Sequence, residues 1–276
     1  MMKVAYTGWT WIQGGTVEQQ KRALEQSFKE CKYLGYDYVE NFAFISDFYQ
    51  EDPQELVALT QKYGVDLVNL YGHFNGDAEA DIATGKKQID FLAAIGGKWY
   101  NCQHGGYRGG EPERPLDVEL TGAICSIAEE LGAYARERGV TLCFHPHYGT
   151  CVFDQEQIDW FFGHTTPENV AMCIDTAHTT LAGIDPAALV RQYRDRIAYV
   201  HLKDVDTCAL RTAEGRAKMQ SFRALGLGTV DFPEVVRALN EFGYDGVLCV
   251  ELDNPAICNY QSAETSRRYI RDALHL

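Results

Sequence analysis

Residues 122–147, GAICSIAEELGAYARERGVTLCFHPH, contain the pattern that decides the fold. In the first part of this stretch apolar residues recur at intervals of three and four, which is typical of an amphipathic helix. Gly139 follows, and glycine tolerates the left-handed conformation that closes a helix. The apolar run VTLCF then predicts a buried strand, which leads into His145, a proline and His147. The stretch is therefore a helix, a glycine and a strand in succession.

The same order recurs along the whole chain. Eight short runs are rich in β-branched and aromatic residues: VAYTGW (4–9), DYVENFA (37–43), VDLVNLYG (65–72), KWYNCQHG (98–105), VTLCFHPH (140–147), VAMCIDTAH (170–178), IAYVHLKD (197–204) and GVLCVELD (246–253). Helix-like stretches such as VEQQKRALEQSFKECKYLG and FPEVVRALNEFGYDG fill the intervals. Eight strands alternating with helices predict a single (β/α)₈ TIM barrel over residues 1–276. An open doubly wound sheet usually has fewer strands and a Gly-rich first turn, and no GxGxxG follows the first run.

Composition excludes several classes of partner. The net charge of −14 repels a polyphosphate backbone, so we expect no nucleic-acid partner. Apolar runs are too short to span a membrane, and the N-terminus MMKVAYTGWTWIQGG lacks the pattern of a signal peptide. The nine cysteines are odd in number and form no CxxC, so we expect reduced thiols. These features predict a cytoplasmic protein, and they leave its oligomeric state open, a homo-oligomer included.

Polar side chains are concentrated at the ends of the predicted strands, where the chemistry of a barrel lies. They are Glu40, His73, His104, His145, His147, Asp175, His178, His201, Lys203, Asp204 and Glu251. Six of the eight histidines belong to this set, whereas His164 and His275 are predicted to be surface residues. Singly, each residue has an ordinary explanation, such as a helix cap for Asp175 or an ion pair for Glu40. Jointly they predict one functional site.

Converging imidazoles and carboxylates favour a divalent metal, because a cation cancels their repulsion and their desolvation cost. Mixed nitrogen and oxygen ligands suit Mn²⁺, Co²⁺, Zn²⁺ or Fe²⁺, whereas Mg²⁺ and Ca²⁺ prefer oxygen alone. We favour Mn²⁺ or Co²⁺ and leave Zn²⁺ and Mg²⁺ open.

Four motifs in order carry a family resemblance: HPHYGT, IDTAHTTLAGIDP, RIAYVHLKDV and LGLGTVDFPEVVRALNEFGYDGVLCVELD. Together they resemble the sugar isomerase/epimerase superfamily with the xylose-isomerase-like barrel, and within it the inosose dehydratase group. The motif-by-motif resemblance covers residues 140–276, and the first half matches as a barrel pattern. This chain has DTAH where DTGH is more usual, and HPH where a run of three histidines is found.

The resemblance implies a four-ligand metal site at the ends of the fifth to eighth strands, formed here by His145, Asp175, His201 and Glu251. Many epimerases of the superfamily carry glutamate at the first of these positions, whereas this chain carries His145. Epimerases use two opposed carboxylates as base and acid, while an elimination needs one base, one acid and a cation that stabilises the developing enolate. The substitution therefore favours an elimination.

These considerations predict a metal-dependent lyase that dehydrates a polyhydroxylated keto-substrate, with a keto-inositol as the named substrate. Three alternatives stay open: an aldose–ketose isomerase or ketose 3-epimerase, the β-elimination of a 3-keto-glycoside, and a non-catalytic sugar-binding barrel.

The remaining candidates receive predicted roles in substrate binding and catalysis. His147, His178 and Lys203 are predicted to be catalytic and to contact substrate, with a salt bridge to Glu251 or Asp204 as the alternative for Lys203. Substrate contacts are also predicted for Trp9, Glu40, His73 and His104. Segments 105–115 and 205–230, rich in glycine and charge, are predicted lids.

Overall fold

The computed structural model describes residues 2–276 and contains a closed barrel of eight parallel strands. The strands are β1 Lys3–Thr7, β2 Tyr38–Phe42, β3 Asp66–Phe74, β4 Trp99–His104, β5 Thr141–Phe144, β6 Ala171–Asp175, β7 Ile197–Leu202 and β8 Val247–Val250. They pair in chain order, and β8 closes the barrel against β1. The predicted (β/α)₈ barrel is confirmed, and each of the eight predicted runs overlaps one of these strands.

Helices surround the barrel and connect its strands. They are α1 Val17–Leu34, α2 Ser46–Tyr49, α3 Pro53–Tyr63, α4 Ala78–Ala94, α5 Val118–Arg136, α6 Gln155–Gly163, α7 Thr176–Leu181, α8 Pro186–Gln192, α9 Thr207–Leu210, α10 Phe232–Glu241 and α11 Asn259–Tyr269. At the start of α1, Thr16 and Gln19 form a reciprocal capping box. At its end Gly35 has a φ of 85°, as expected for a glycine that closes a helix.

A two-stranded antiparallel ribbon, which sequence analysis did not predict, follows β7. Its strands are Asp204–Val205 and Phe222–Arg223. The Asp204 carboxylate accepts hydrogen bonds from the backbone N–H groups of Gly226 and Gly228, at 2.9 and 2.8 Å. Asp204 is thus a strand-end residue whose carboxylate ties the long β7 loop to the barrel.

The two segments predicted as lids contact each other. Arg216 donates a hydrogen bond to the backbone carbonyl of Tyr107, and Lys218 forms an ion pair with Glu113. The hydroxyl of Tyr148, in the loop after β5, donates to the carbonyl of Gly215 at 2.8 Å. The loops after β4, β5 and β7 are therefore joined, and their movement as lids stays a prediction.

Apolar side chains on the outside of the strands pack against the helices and form the main core. All nine cysteines are free thiols, and seven of them are buried. Within residues 2–276, no helix has both the length and the apolar character that crossing a membrane requires.

The surroundings of two glycines in α5 predict opposite effects of a glycine-to-alanine substitution on the free energy of unfolding. At Gly132 a Cβ atom would lie 2.6 Å from the backbone carbon of Asn169, whereas at Gly122 the nearest atom is 3.8 Å away, in Trp160. We expect Gly132→Ala to lower the free energy of unfolding by about 1–3 kcal/mol, because the backbone must shift. Gly122→Ala should raise it by about 0.5–1 kcal/mol, because alanine loses less entropy in a helix. Urea unfolding measures both, and equal effects would contradict the close packing of α5.

Candidate metal centre at the mouth of the barrel

The carboxyl ends of four neighbouring strands bring together the ligand set that the resemblance implied. His145 directly follows β5, Asp175 ends β6, His201 lies in β7, and Glu251 directly follows β8. All four side chains are buried, and one ligand atom from each lies within 4.8 Å of the others. The structure therefore places these residues as one compact cluster.

The atoms that face one another in this cluster have no hydrogen-bond partners. They are His145 Nε2, Asp175 Oδ2, His201 Nδ1 and Glu251 Oε2. His201 Nδ1 lies 2.7 Å from Glu251 Oε2, and His145 Nε2 lies 3.6 Å from Asp175 Oδ2. Buried polar atoms are almost always satisfied, so four orphaned atoms at one point need a common partner. Two imidazole nitrogens and two carboxylate oxygens fit a divalent transition-metal ion.

Glu40 fixes the orientation and tautomer of the His201 ring. His201 Nε2 lies 3.0 Å from the Glu40 carboxylate, which in turn accepts from the Asn69 amide at 2.5 Å. Because an ionised carboxylate can only accept, Nε2 carries the proton and Nδ1 is free to bind a metal. Glu40, predicted to contact substrate, is 2% exposed and lies against the far nitrogen of His201.

Tyr71 fixes the orientation and tautomer of the His145 ring. Its hydroxyl donates to Gln103 Oε1 at 2.6 Å and lies 3.0 Å from His145 Nδ1. Since the hydroxyl proton is already committed to Gln103, its oxygen accepts the Nδ1 proton of His145. Nε2 of His145 therefore presents its lone pair to the cluster.

The pKa shifts in the cluster reflect burial and crowding. Burial, followed by the neighbouring His201, lowers the pKa of His145 to about 3. Burial also opposes the charged form of His201, but Cys173, followed by Glu40 and Glu251, outweighs it and raises the pKa of His201 well above the usual value. The raised pKa means that a proton competes with a cation for His201 Nδ1, so metal binding must displace that proton.

Lys203 is fully buried beside the cluster. Its Nζ lies 3.1 Å from Glu251 Oε1, 2.8 Å from Asp253 Oδ2 and 3.5 Å from His178 Nε2. Of the two salt-bridge partners considered from the sequence, Glu251 is the one found. Burial alone would raise the pKa of Glu251, but Lys203 and His201 hold it well below its usual range.

His147 lies beside His145, as their two-residue spacing predicted. β5 ends at Phe144, so both histidines follow the strand, and their ring centroids are 5.6 Å apart. His147 Nδ1 lies 2.7 Å from the carbonyl oxygen of Tyr148, which places the proton on Nδ1 and a lone pair on Nε2. His178 packs against His147, with ring centroids 3.7 Å apart.

The other residues predicted to contact substrate are Trp9, His73 and His104, and the contacts described below join them to residues outside the four-ligand cluster. Trp9 and the exposed His73 pack against Phe42, with ring centroids 5.2 and 5.4 Å away. The Nδ1 atom of His104 accepts a hydrogen bond from the backbone N–H of Cys151 at 3.2 Å. Contact of these three residues with substrate stays a prediction. His164 and His275 are exposed, as predicted.

Sequence reasoning missed the residues that support the ligands. They are Tyr71, Asn69, Gln103, Asn101 and Asp253. The available signal was a polar side chain inside an apolar strand run, as in LVNLY and YNCQH, or two residues beyond a ligand, as in VELD. That signal identifies candidate supporting residues, but it does not show which ligand each of them contacts.

Fold and site together define a (β/α)₈ barrel with a candidate divalent-metal centre at its C-terminal mouth. The chain belongs to the xylose isomerase-like TIM barrel family, whose pattern matches residues 28–274. An inosose dehydratase of Geobacillus kaustophilus (strain HTA426) is 30% identical over 276 residues, covering 91% of this chain and 87% of that protein. An inosose dehydratase of Lacticaseibacillus casei is 32% identical, covering 92% and 90%.

Solved structures share the fold. The IOLI protein with a bound zinc atom has a TM-score of 0.78 and 19% identity, covering 98% of this chain and 97% of that one. A D-allulose 3-epimerase from Methylomonas sp. in complex with D-allulose has a TM-score of 0.74 and 19% identity, covering 98% and 96%. The predicted family resemblance is confirmed, as is the prediction that the chain is an enzyme.

Two substitutions that remove charge without changing shape test the ligand set. Asp175→Asn and Glu251→Gln should each sharply lower bound Mn²⁺ while the barrel stays folded, because the lost charge lies in the cluster and not in the packing. Metal analysis of protein dialysed against Mn²⁺, together with circular dichroism, measures both effects. Full metal content in either variant would contradict the ligand set.

Removing the support of His145 should weaken metal binding without abolishing it. Tyr71→Phe deletes the acceptor for the Nδ1 proton of His145, and we expect an affinity loss of about 10- to 100-fold. The matched control is Tyr100→Phe, because Tyr100 is also a buried strand tyrosine, but its hydroxyl donates to Gln88 instead. Titration with Mn²⁺ compares the two, and equal affinities would show that Tyr71 does not orient the ligand.

Proposed function

We propose that this enzyme is a metal-dependent carbon–oxygen lyase that removes water from a keto-inositol. Its similarity to inosose dehydratases, at 30–32% identity over 91–92% of the chain, carries the proposal. The chemistry of the cluster supports it, because a site that eliminates water needs a base, an acid and a concentrated positive charge.

Dehydration requires a C–H bond next to the ketone to break and a hydroxyl on the following carbon to leave. A divalent cation held by His145, Asp175, His201 and Glu251 would supply positive charge that stabilises the negative charge developing on the ketone oxygen. The protein must then transfer one proton from carbon to the departing hydroxyl.

His147 is the side chain best suited to move that proton. Its Nε2 holds a lone pair, and burial followed by the neighbouring His145 lowers its pKa to about 3, which keeps the free imidazole neutral. His147 accepts the proton from carbon and, once protonated, gives it to the departing hydroxyl. A double bond forms, water leaves, and His147 returns to its starting state.

Lys203 and His178 support this transfer. Burial alone would lower the pKa of Lys203, but Asp253 and Glu251 outweigh it and raise the pKa, so the ammonium keeps its proton. It anchors Glu251 and leaves the proton transfer to His147. His178, packed between Lys203 and His147, limits the orientation of the catalytic ring.

The alternatives differ in a measurable product. A ketose 3-epimerase or an aldose–ketose isomerase is favoured by the shared fold with a D-allulose 3-epimerase. His145 argues against it, because the family resemblance implies glutamate at the first ligand position in many epimerases. A 3-keto-glycoside would lose its aglycone instead of water. We further propose Mn²⁺ or Co²⁺ as the ion and the cytoplasm as the location, where free thiols persist.

Incubation of the Mn²⁺-loaded protein with a keto-inositol should give a product lighter by one water molecule, with a new ultraviolet absorption from the conjugated ketone or diketone. Mass spectrometry and absorbance measure both. A product of unchanged mass would support an epimerase or isomerase, and metal-loaded protein that leaves the substrate untouched would contradict the proposed reaction.

Within the same assay, His147→Ala should keep the metal and lose rate by on the order of 10²–10⁴, the usual contribution of a general acid–base group. His145→Ala should lose both metal and rate. Loss of metal in His147→Ala with retention in His145→Ala would reverse the two roles.

A further inference from the structure

Cysteines occupy the layer of the barrel directly beneath the candidate ligands. Three of the four ligands have a cysteine two residues earlier: Cys143 before His145, Cys173 before Asp175 and Cys249 before Glu251. Since strand side chains alternate with a period of two, each thiol shares the inward face of its strand with the ligand above it. All three cysteines are 0% exposed, and in β7 the corresponding residue is Tyr199.

Of these three cysteines, Cys173 is the one that lies near two of the candidate ligands. Its Sγ, one ring nitrogen of His145 and one ring nitrogen of His201 all lie within 4.8 Å of one another. Cys249 forms a comparable group with Glu40 and His201, but Glu40 is already hydrogen-bonded to His201 and Asn69. Among the residues that the structure describes, Cys143 belongs to no such group.

We propose that Cys173 gives the barrel a second donor set, His145, His201 and Cys173, which captures a thiophilic ion such as Cd²⁺. The proposal rests on the metal centre described above, because both histidines are shared. Thiolate is a soft ligand and carboxylate a hard one, so a soft ion gains more from Cys173 than from Asp175 and Glu251. Binding releases the thiol proton to solvent and forms a sulfur–metal bond.

An ion bound to this second donor set would compete with the enzyme's own metal ion. Because His145 and His201 belong to both sets, an ion bound with Cys173 excludes the resident ion from the mouth of the barrel. The thiol layer would therefore make the enzyme sensitive to soft metals even though its own centre is made of nitrogen and oxygen ligands. Cys173 would determine that sensitivity, and its neighbours in the layer would not.

Titration with Cd²⁺ tests the proposal, because sulfur-to-cadmium charge transfer absorbs in the ultraviolet. All proteins carry Cys208→Ser and Cys258→Ser, which remove the two exposed thiols. We expect the parent to develop this absorption up to one equivalent of Cd²⁺. Cys173→Ala and Cys173→Ser should lack it. Cys143→Ala, which removes an equally buried thiol from the same layer, should keep it.

Each result decides between the two sites. Absorption that survives in Cys173→Ala, or that disappears with Cys249→Ala instead, overturns the proposal. If Cd²⁺ binds the parent without this absorption and Asp175→Asn abolishes that binding, the Cys173 proposal is overturned. The four-ligand centre is then supported. A parent that binds no Cd²⁺ contradicts both sites. Parental Mn²⁺ stoichiometry and circular dichroism in Cys173→Ser show that any loss is not due to misfolding.

Discussion

The constraint on which the site depends is the meeting of four buried ligand atoms that lack hydrogen-bond partners. His201 Nδ1 and Glu251 Oε2 approach to 2.7 Å, a separation that is repulsive unless a proton or a metal cation lies between them. The surrounding groups satisfy the opposite side of each ligand: Glu40 for His201, Tyr71 for His145, Lys203 for Glu251, and backbone N–H groups in the first turn of α7 for Asp175. Because the far side of each ligand is satisfied, its free atom is left for a cation.

Charge balance in the interior leads to the same requirement. The buried or half-buried carboxylates near the centre are Glu40, Asp175, Glu251 and Asp253, and the ammonium among them is that of Lys203. With all of these ionised and His201 protonated, four negative charges face two positive charges, an excess that a low-dielectric interior does not tolerate. Burial, and after it the negative charge of Glu251, raise the pKa of Asp175, and the second of these causes is part of the excess. A divalent ion relieves it and lets the carboxylates stay ionised.

The sequence predicted the strands from local pattern, and the family resemblance implied the four candidate ligands at the strand ends. Runs such as VAMCIDTAH mark a buried strand, and the polar residue at its end marks the mouth of the barrel. The support of the ligands depends instead on contacts across the barrel: Glu40 and His201 are 161 positions apart, and Tyr71 and His145 are 74 apart. A period of two gives the face of a strand, but not which side chain it meets there. For that reason the sequence does not reveal the contact of Glu40 with His201 or that of Asp253 with Lys203.

The presence of His145 at the first ligand position bears on the reaction as well as on the metal. A carboxylate at that position can serve as a second base on the opposite face of the substrate, which epimerisation requires and dehydration does not. The Nδ1 proton of His145 is committed to Tyr71 and its Nε2 to the centre, so it has no free atom with which to move a proton. In the proposed reaction, proton transfer therefore falls to one side of the site, to His147, whose Nδ1 is engaged by the Tyr148 carbonyl and whose Nε2 is left for the proton. A site with one mobile proton carrier can take a proton from carbon and deliver it to a departing hydroxyl on the same face, which is an elimination.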